Sequence, residues 1–122
     1  MADLSSASVD TMLDALLVTG TTYYLSLHTA DPGTTGANEV TGGSYARQAI
    51  TFAAASAGSK PSNDTQAFTG MPAAAGDLWV GVWTAATAGT FLWGDPSSAV
   101  TGPVAAGAAV DFASGAVTAT LS

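Results

Sequence analysis

The sequence predicts a mostly β protein: a compact antiparallel β-sandwich or small barrel with one N-terminal α-helix, in a single domain of residues 1–122. Two patterns predict this fold class. From residue 22 onward, apolar and polar residues alternate in short runs, and clusters of turn-forming residues separate these runs. Before that point, apolar residues recur with the period of a helix instead. A length of 122 residues suits one domain with one core.

The helix is predicted over residues 5–19. Ser5 or Ser6 can cap its start, and Gly20 can stop it. One face of this helix carries an apolar stripe that consists of Val9, Met12, Leu13, Leu16 and Leu17. The stripe fits two interpretations. The helix packs this face on its own domain, or it docks on a neighbouring subunit.

The β body is predicted over residues 22–122. Its clearest strand is "TTYYLSLH", in which Tyr23, Leu25 and Leu27 share one face while Tyr24, Ser26 and His28 share the other. Further strand candidates are "RQAITF", "TQAFTG", "DLWVGVW", "TFLWG", "AAVDFA" and "AVTATLS". The segment "SAGSKPSND" is interpreted as a loop, because it is rich in residues that favour turns.

The charge composition excludes several classes of function. Only 9% of the residues are charged, and nine acids against two bases give a net charge of −7. We expect no nucleic-acid partner, which would need clustered Lys and Arg, and no anionic membrane surface. The absence of Cys excludes disulfides and thiolate sites. We see no secretory signal and no run long enough to span a membrane, so we expect folding in a cytosol.

Small side chains are unusually frequent, since Ala accounts for 26 residues and Gly for 14. A chain of this size with so many small residues buries little apolar area per residue, so its stability is expected to depend on neighbouring chains. We therefore predict a homo-oligomer, with a trimer as the expected form. The apolar helix stripe and one tryptophan face are the predicted contact surfaces.

The connection at residues 28–47 holds the chain's only His, only Glu and only Arg. It opens with Asp31-Pro32-Gly33, where Pro presets the backbone for a turn and Gly accepts a positive φ. We predict that Arg47 fastens this loop by pairing with Glu39 or Asp31, because a guanidinium can hold a carboxylate by two parallel hydrogen bonds. The loop is therefore interpreted as an anchored structural element.

Two chemical alternatives for this loop are weaker. His28, Asp31 and Ser44 are the residue types of a nucleophilic triad, but no nucleophile elbow is present. Asp31, Asn38 and Glu39 offer oxygen ligands, but they lack the spacing of a calcium-binding EF-hand loop. We expect no catalysis, no required metal and no cofactor.

Three tryptophans, Trp79, Trp83 and Trp93, lie close together in the sequence. Trp79 and Trp83 are predicted to share one strand face, with Gly81 between them leaving room for a neighbouring ring or backbone. We interpret these residues as packed aromatics that are covered by the domain or by another subunit. The alternative is a flat aromatic platform that binds sugars.

The order of these segments resembles a family of small tailed-bacteriophage and prophage proteins, usually labelled phage tail fibre or minor tail proteins. The resemblance rests on "YLSLHTADPGTTGANEVTGGSYARQAITFAAAS", "VGVWTAATAGTFLWG" and "AAGAAVDFASGAVTATLS" after the N-terminal helix. It covers nearly the whole chain, and the first segment is the most specific. The resemblance implies a non-enzymatic virion component with a β-sandwich body, without a cofactor and without catalytic residues.

A fibre shaft requires repeats or coiled-coil heptads, and we find neither in this sequence. A compact acidic domain suits an oligomeric decoration (cement) protein on the capsid surface, which is the predicted function. A minor tail or tail fibre protein is the alternative, and a sugar-binding host-receptor module is the third choice. The expected partners are further copies of the chain and the phage major capsid protein or tail proteins. The expected location is the virion, after synthesis in the host bacterial cytoplasm.

Overall fold

A computed structural model of the chain describes residues 4–121. It confirms the predicted fold class, since the chain is mostly β, with one helix and antiparallel sheets. The elements are α1 (Ser6–Leu16), β1 (Tyr23–His28), β2 (Gln48–Ile50), β3 (Ser59–Pro61), β4 (Gln66–Phe68), β5 (Trp79–Trp83), β6 (Phe91–Gly94), β7 (Val110–Phe112) and β8 (Thr118–Thr120).

The helix begins after Ser5, whose hydroxyl oxygen accepts the backbone N–H of Ser8 at 3.2 Å. It ends at Leu16, so it is shorter than predicted, and Leu17 rather than Gly20 caps it. The reason is tertiary. Leu17 is fully buried, and the next N–H, that of Val18, donates to the Tyr23 hydroxyl at 2.8 Å. These two contacts turn the chain toward β1 before the helix can extend further.

The largest sheet has four antiparallel strands in the order β2-β1-β5-β6. In its register, Leu25 lies opposite both Gln48 and Val82, and Gly81 lies opposite Gly94. Two shorter antiparallel ladders complete the β body, one formed by β3 and β8 and the other by β4 and β7. The arrangement is consistent with a small β-sandwich.

The core contains apolar residues from one face of the four-stranded sheet, from both ladders and from the helix. Its members include Leu13, Leu17, Leu25, Leu27, Ile50, Phe52, Phe68, Val80, Val82, Trp93, Val110, Phe112 and Ala119. The predicted alternation of β1 is confirmed, because Tyr23, Leu25 and Leu27 all face this core. The polar residues Ser26 and His28 therefore lie on the other face of β1.

The helix stripe packs on the chain itself, which corrects its assignment as a contact surface between subunits. Leu13 and Leu17 are fully buried, and Val9 and Leu16 pack against the core. Met12 is the exception, with 48% of its surface exposed. Of the two interpretations of the stripe, the structure therefore favours packing on the chain's own domain for four of the five residues.

Strand β3 lies inside the segment that was predicted to be a loop. Its central residue, Lys60, is fully buried, and the Lys60 Nζ donates to Asp14 Oδ1 at 2.7 Å and to Thr19 Oγ1 at 2.8 Å. The hydrogen bond from Lys60 holds the pKa of Asp14 below its ordinary value, and the backbone N–H of Ala55 adds to this effect. Pairing with β8 and the contact with the helix thus override the local preference for a turn.

Two alanines adopt a left-handed backbone conformation that their side chains disfavour. Ala57 and Ala88 both have φ of +53°, and each precedes a glycine with positive φ, as in a type I′ turn. The left-handed region costs a residue with a Cβ about 1–2 kcal/mol, and Asn tolerates it better. Ala57→Asn should therefore raise the free energy of unfolding by about 0.5–1 kcal/mol, measured by urea denaturation. Ala67→Asn, at an exposed strand position, is the control and should lower it.

Candidate functional site

The loop between β1 and β2 covers the outer face of the four-stranded sheet. This face is formed by Ser26, His28, Gly81 and Trp83. Gly36 of the loop lies so close to the rings of Trp83 and Phe91 that a Cβ at this position would overlap them. Pro32 lies in similar contact with Gly94 of the edge strand β6. The loop is therefore packed against the sheet over much of its length.

Arg47 joins three segments of the chain at the edge of this cover. Its Nε donates to Glu39 Oε2 and its Nη2 donates to Glu39 Oε1, both at 2.9 Å. Its Nη1 donates to the carbonyls of Ala85 and Ala88 at 3.0 and 2.8 Å. The guanidinium carbon lies 3.8 Å from the centroid of the Trp83 ring, in a cation–π contact. Arg47 thus fastens the loop and the turn after β5 to the same tryptophan.

Tyr45 completes the hydrogen bonding of Glu39. The Tyr45 hydroxyl donates to Glu39 Oε2 at 2.8 Å and accepts the backbone N–H of Leu27 at 3.0 Å. Burial raises the pKa of Tyr45, so the hydroxyl stays protonated. Burial alone would also raise the pKa of Glu39, but the hydrogen bonds from Arg47 and Tyr45 outweigh it, and the pKa lies below its ordinary value. Glu39 is therefore ionised at neutral pH.

A chain of hydrogen bonds runs beneath the loop. Trp83 Nε1 donates to Ser26 Oγ at 3.0 Å, and Ser26 Oγ lies 2.6 Å from His28 Nε2. On its other side, His28 Nδ1 lies 2.7 Å from the Ala37 carbonyl. Because a carbonyl only accepts, Nδ1 carries the proton, and Nε2 accepts the Ser26 hydroxyl. Both Ser26 and His28 are fully buried, and this burial lowers the pKa of His28.

Of the two partners predicted for Arg47, the structure has Glu39 and not Asp31. The Oδ1 of Asp31 accepts the backbone N–H of Gly33 at 2.8 Å, so this acid closes its own turn and Glu39 is the partner of Arg47. The residues of the turn explain why Asp31 does not pair with Arg47, because Pro32 and Gly33 bend the chain back onto the Asp31 side chain.

The loop does not bring together the residues of the candidate nucleophilic triad or those of the candidate metal site. His28 bonds to Ser26 rather than to Ser44, whose backbone N–H donates to Gly70. Both carboxylate oxygens of Glu39 are occupied by Arg47 and Tyr45. Within residues 4–121, no group of three or more His, Asp or Glu side chains is placed to hold a metal ion. Over the same residues, no helix has the length and apolar character needed to cross a bilayer.

The tryptophans pack within the chain, as in the interpretation that their own domain covers them, and a contact between one tryptophan face and another subunit stays a prediction. Trp93 lies on the core side with 8% of its surface exposed, and its Nε1 donates to the Thr120 carbonyl at 2.9 Å. Trp83 is covered by Arg47 and by the edge of Phe91. Trp79 is half-buried, and its Nε1 donates to the Pro96 carbonyl at 3.2 Å. Trp79 and Trp83 do share a face across Gly81, as expected.

Sequence reasoning missed three of the polar residues that hold this region together. Ser26 and Tyr45 carry no motif, and only their neighbours in the fold identify their roles. Lys60 offered a usable signal, because the only lysine of an acidic chain is expected to have a carboxylate partner. Its partner, Asp14, lies 46 residues away along the chain and could not have been chosen from the sequence.

Lower pH should destabilise the fold through His28. The unfolded chain takes up a proton near pH 6.5, whereas the folded chain resists it, so the free energy of unfolding falls as the pH drops below that value. The slope is at most about 1.4 kcal/mol per pH unit for one proton. Urea denaturation of untagged protein between pH 7.5 and 5.5 measures it. Because His28 is the only histidine, His28→Gln should flatten the slope, and an equally steep slope in this variant would contradict the assignment.

Comparison with known proteins identifies a family for nearly the whole chain. The family model described as "Podophage GP4 fiber I protein gp80" matches residues 3–120. Searches of curated proteins and of solved structures gave no significant match.

Proposed function

Since the chain belongs to the family of the podophage GP4 fiber I protein gp80, a family of phage structural proteins, we propose that it is a non-enzymatic component of the fibre complex on a phage tail. The match over residues 3–120 carries this proposal, because it covers the helix and every strand. The family description favours the tail fibre alternative of the sequence analysis over capsid decoration.

The chemistry of the loop region supports a structural role. Its reactive side chains are bonded to one another and covered: His28 is bonded on both nitrogens, and Arg47 and Glu39 neutralise each other. A substrate reaching His28 would have to displace the loop that covers it. The region is built to keep a long connection rigid, as a particle component requires.

The shape of the chain suggests its place within a fibre. Its strands are three to six residues long and its helix has 11 residues, so residues 4–121 contain no shaft-like element. We propose that the chain forms a compact unit at one end of a fibre or at its junction with the tail. Its partners are then the tail and fibre proteins that it contacts there.

Capsid decoration is the second candidate, and the charge of the chain suits it. The chain is acidic, and both of its cations are used internally, since Lys60 is fully buried and the Arg47 side chain is 9% exposed. An outward-facing acidic surface would keep virions apart by like-charge repulsion. The same property also suits a fibre, so the observation does not outweigh the family match.

Purified virions provide the test. Gold-labelled antibodies against the chain should bind at the tail, and quantitative mass spectrometry should find far fewer copies of it than of the major capsid protein. Labelling over the head, with copy numbers close to those of the capsid protein, would establish decoration instead. Absence of the chain from virions would overturn both assignments.

A further inference from the structure

We propose that an extended, basic segment of a partner protein adds as a strand to the free edge of β7. Within residues 4–121, β7 pairs with β4 alone, and Asp111 lies opposite Ala67 in that ladder. Its second edge therefore carries no strand, and the unpaired backbone groups of such an edge can accept one from another chain. The inference does not depend on where the protein sits in the virion.

A continuous groove borders this edge. A space of about 480 Å³ is lined by all three residues of β7 and by most of the segment 99–105. A cavity of about 230 Å³ shares Ala99 and Phe112 with it. A cleft of about 370 Å³ in turn shares Trp93 and Asp95 with that cavity. Because neighbouring spaces share lining residues, they form one path from β7 past β6 to the end of β8.

The size of the middle cavity selects an extended segment rather than a helix. A helix with its side chains is about 10–12 Å across. A cavity of about 150 Å³ holds one benzene molecule. The middle cavity, at about 230 Å³, therefore has room for one or two side chains and excludes a helix.

The side chains of β7 specify the pattern of the added strand. Val110 and Phe112 are buried, each with 8% of its surface exposed, while Asp111 between them is exposed. Residues that lie opposite each other on paired strands share a face of the sheet. The added strand should therefore carry apolar residues beside Val110 and Phe112 and a polar residue beside Asp111.

Charge identifies that polar residue as Lys or Arg. Two acids line the groove, Asp111 on β7 and Asp95 in the cleft, and neither Lys60 nor Arg47 lines it. The Asp95 Oδ1 accepts the backbone N–H of Ser97 at 2.9 Å, which leaves its second oxygen for a partner. A cation opposite Asp111 would form a favourable cross-strand pair, whereas an acid there would be repelled.

The same charges exclude a second copy of the chain as the source of this segment. The chain has two basic side chains, Lys60 and Arg47. Lys60 is fully buried, and the Arg47 side chain is 9% exposed and bonded to Glu39. Neither can reach the groove of another copy unless the fold opens. The basic segment must therefore come from a different protein.

Binding of designed peptides tests the proposal. The probe is a capped peptide of alternating Val and Lys, and the comparison is the same peptide with Glu in place of Lys. Isothermal titration should find that the Lys peptide binds at least about tenfold more tightly than the Glu peptide. Because a net charge of −7 attracts any cation, the position of binding must be tested separately.

Two variants with the same change in charge locate the site. Asp111→Asn removes one charge from the groove, and it should weaken binding of the Lys peptide about tenfold. Asp31→Asn removes one charge from an exposed acid that does not line the groove, and it should change binding by less than about twofold. Thermal unfolding shows that both variants fold. Equal effects of the two variants would overturn the proposal.

Backbone pairing is tested with the same Lys peptide carrying N-methyl groups on alternate residues, which removes the hydrogen-bond donors of one edge. Peptides methylated in either of the two alternating patterns are compared. One of them should lose binding by at least about tenfold, because a strand pairs through one edge only. Hydrogen exchange should also slow at residues 109–112 when the unmodified peptide binds. Equal binding of both methylated peptides and the parent, or no binding of the parent at millimolar concentration, would overturn the proposal.

Discussion

Replacing Arg47 with Ala should lower the free energy of unfolding by about 3 kcal/mol, as measured by urea denaturation at neutral pH. The side chain makes two hydrogen bonds to Glu39, two to the turn after β5 and one contact with the Trp83 ring. Its removal leaves the partly buried carboxylate of Glu39 without a counter-charge, which accounts for most of the expected loss.

Two further variants separate the charge from the geometry. Arg47→Lys keeps the charge but cannot reach Glu39 in a bidentate manner and also bond both carbonyls, so it should recover less than half of the lost stability. Glu39→Gln in the Arg47→Ala background removes the unpaired charge and should recover more. If Arg47→Ala unfolds at the same urea concentration as the wild type, the anchor role is wrong.

The effect of Arg47→Ala should shrink in acid. In the wild type, the Glu39 pKa lies below its ordinary value near 4.5, so the pair stabilises the fold above that value and loses its contribution as pH falls through the lowered pKa. Without Arg47, burial favours the protonated carboxyl of Glu39, and its protonation removes the destabilising unpaired charge from the variant. The stability difference measured at pH 4 should therefore be smaller than that at pH 7.

Local patterns in the sequence were sufficient to predict most of the strands. The alternation in "TTYYLSLH" correctly placed Leu25 and Leu27 in the core and Ser26 and His28 on the opposite face, because side chains of a strand alternate by construction. The pairing of Arg47 with an acid in its own loop could also be predicted from the sequence, since a lone guanidinium needs a carboxylate nearby. The sequence could not decide between Glu39 and Asp31, because the partner depends on how the turn at Pro32 closes.

Features that depend on contacts distant along the chain could not be predicted. Strand β3 forms because Lys60 meets Asp14 of the helix and because β8 offers it a partner. Composition predicted a deficit of buried apolar area, and it led to the inner stripe as the interface. The chain instead packs four of the five residues of that stripe against the sheet and both ladders, and it leaves Met12 exposed. Periodicity identifies which residues share a face, but it does not say what covers that face.

Gly36→Ala should also lower the free energy of unfolding by about 3 kcal/mol, and Gly33→Ala by only about 1 kcal/mol. Both glycines lie in the same loop with positive φ, +74° and +61°, so a Cβ strains the backbone at both positions. They differ in what surrounds them. A Cβ at Gly36 would overlap Trp83 and lie 2.8 Å from Phe91 Cδ1, whereas a Cβ at Gly33 would meet nothing within 4 Å.

The difference between these two variants therefore measures how closely the loop packs on the sheet. Relief of the overlap at Gly36 would move Trp83, and with it the hydrogen bond to Ser26 and the contact with Arg47. Tryptophan fluorescence and near-ultraviolet circular dichroism should consequently change in Gly36→Ala and stay unchanged in Gly33→Ala. Equal losses of stability in the two variants would mean that the loop stands away from the sheet in solution. The hydrogen-bonded chain from Trp83 to Ala37 would then be accessible to solvent, and His28 would no longer be covered by the loop.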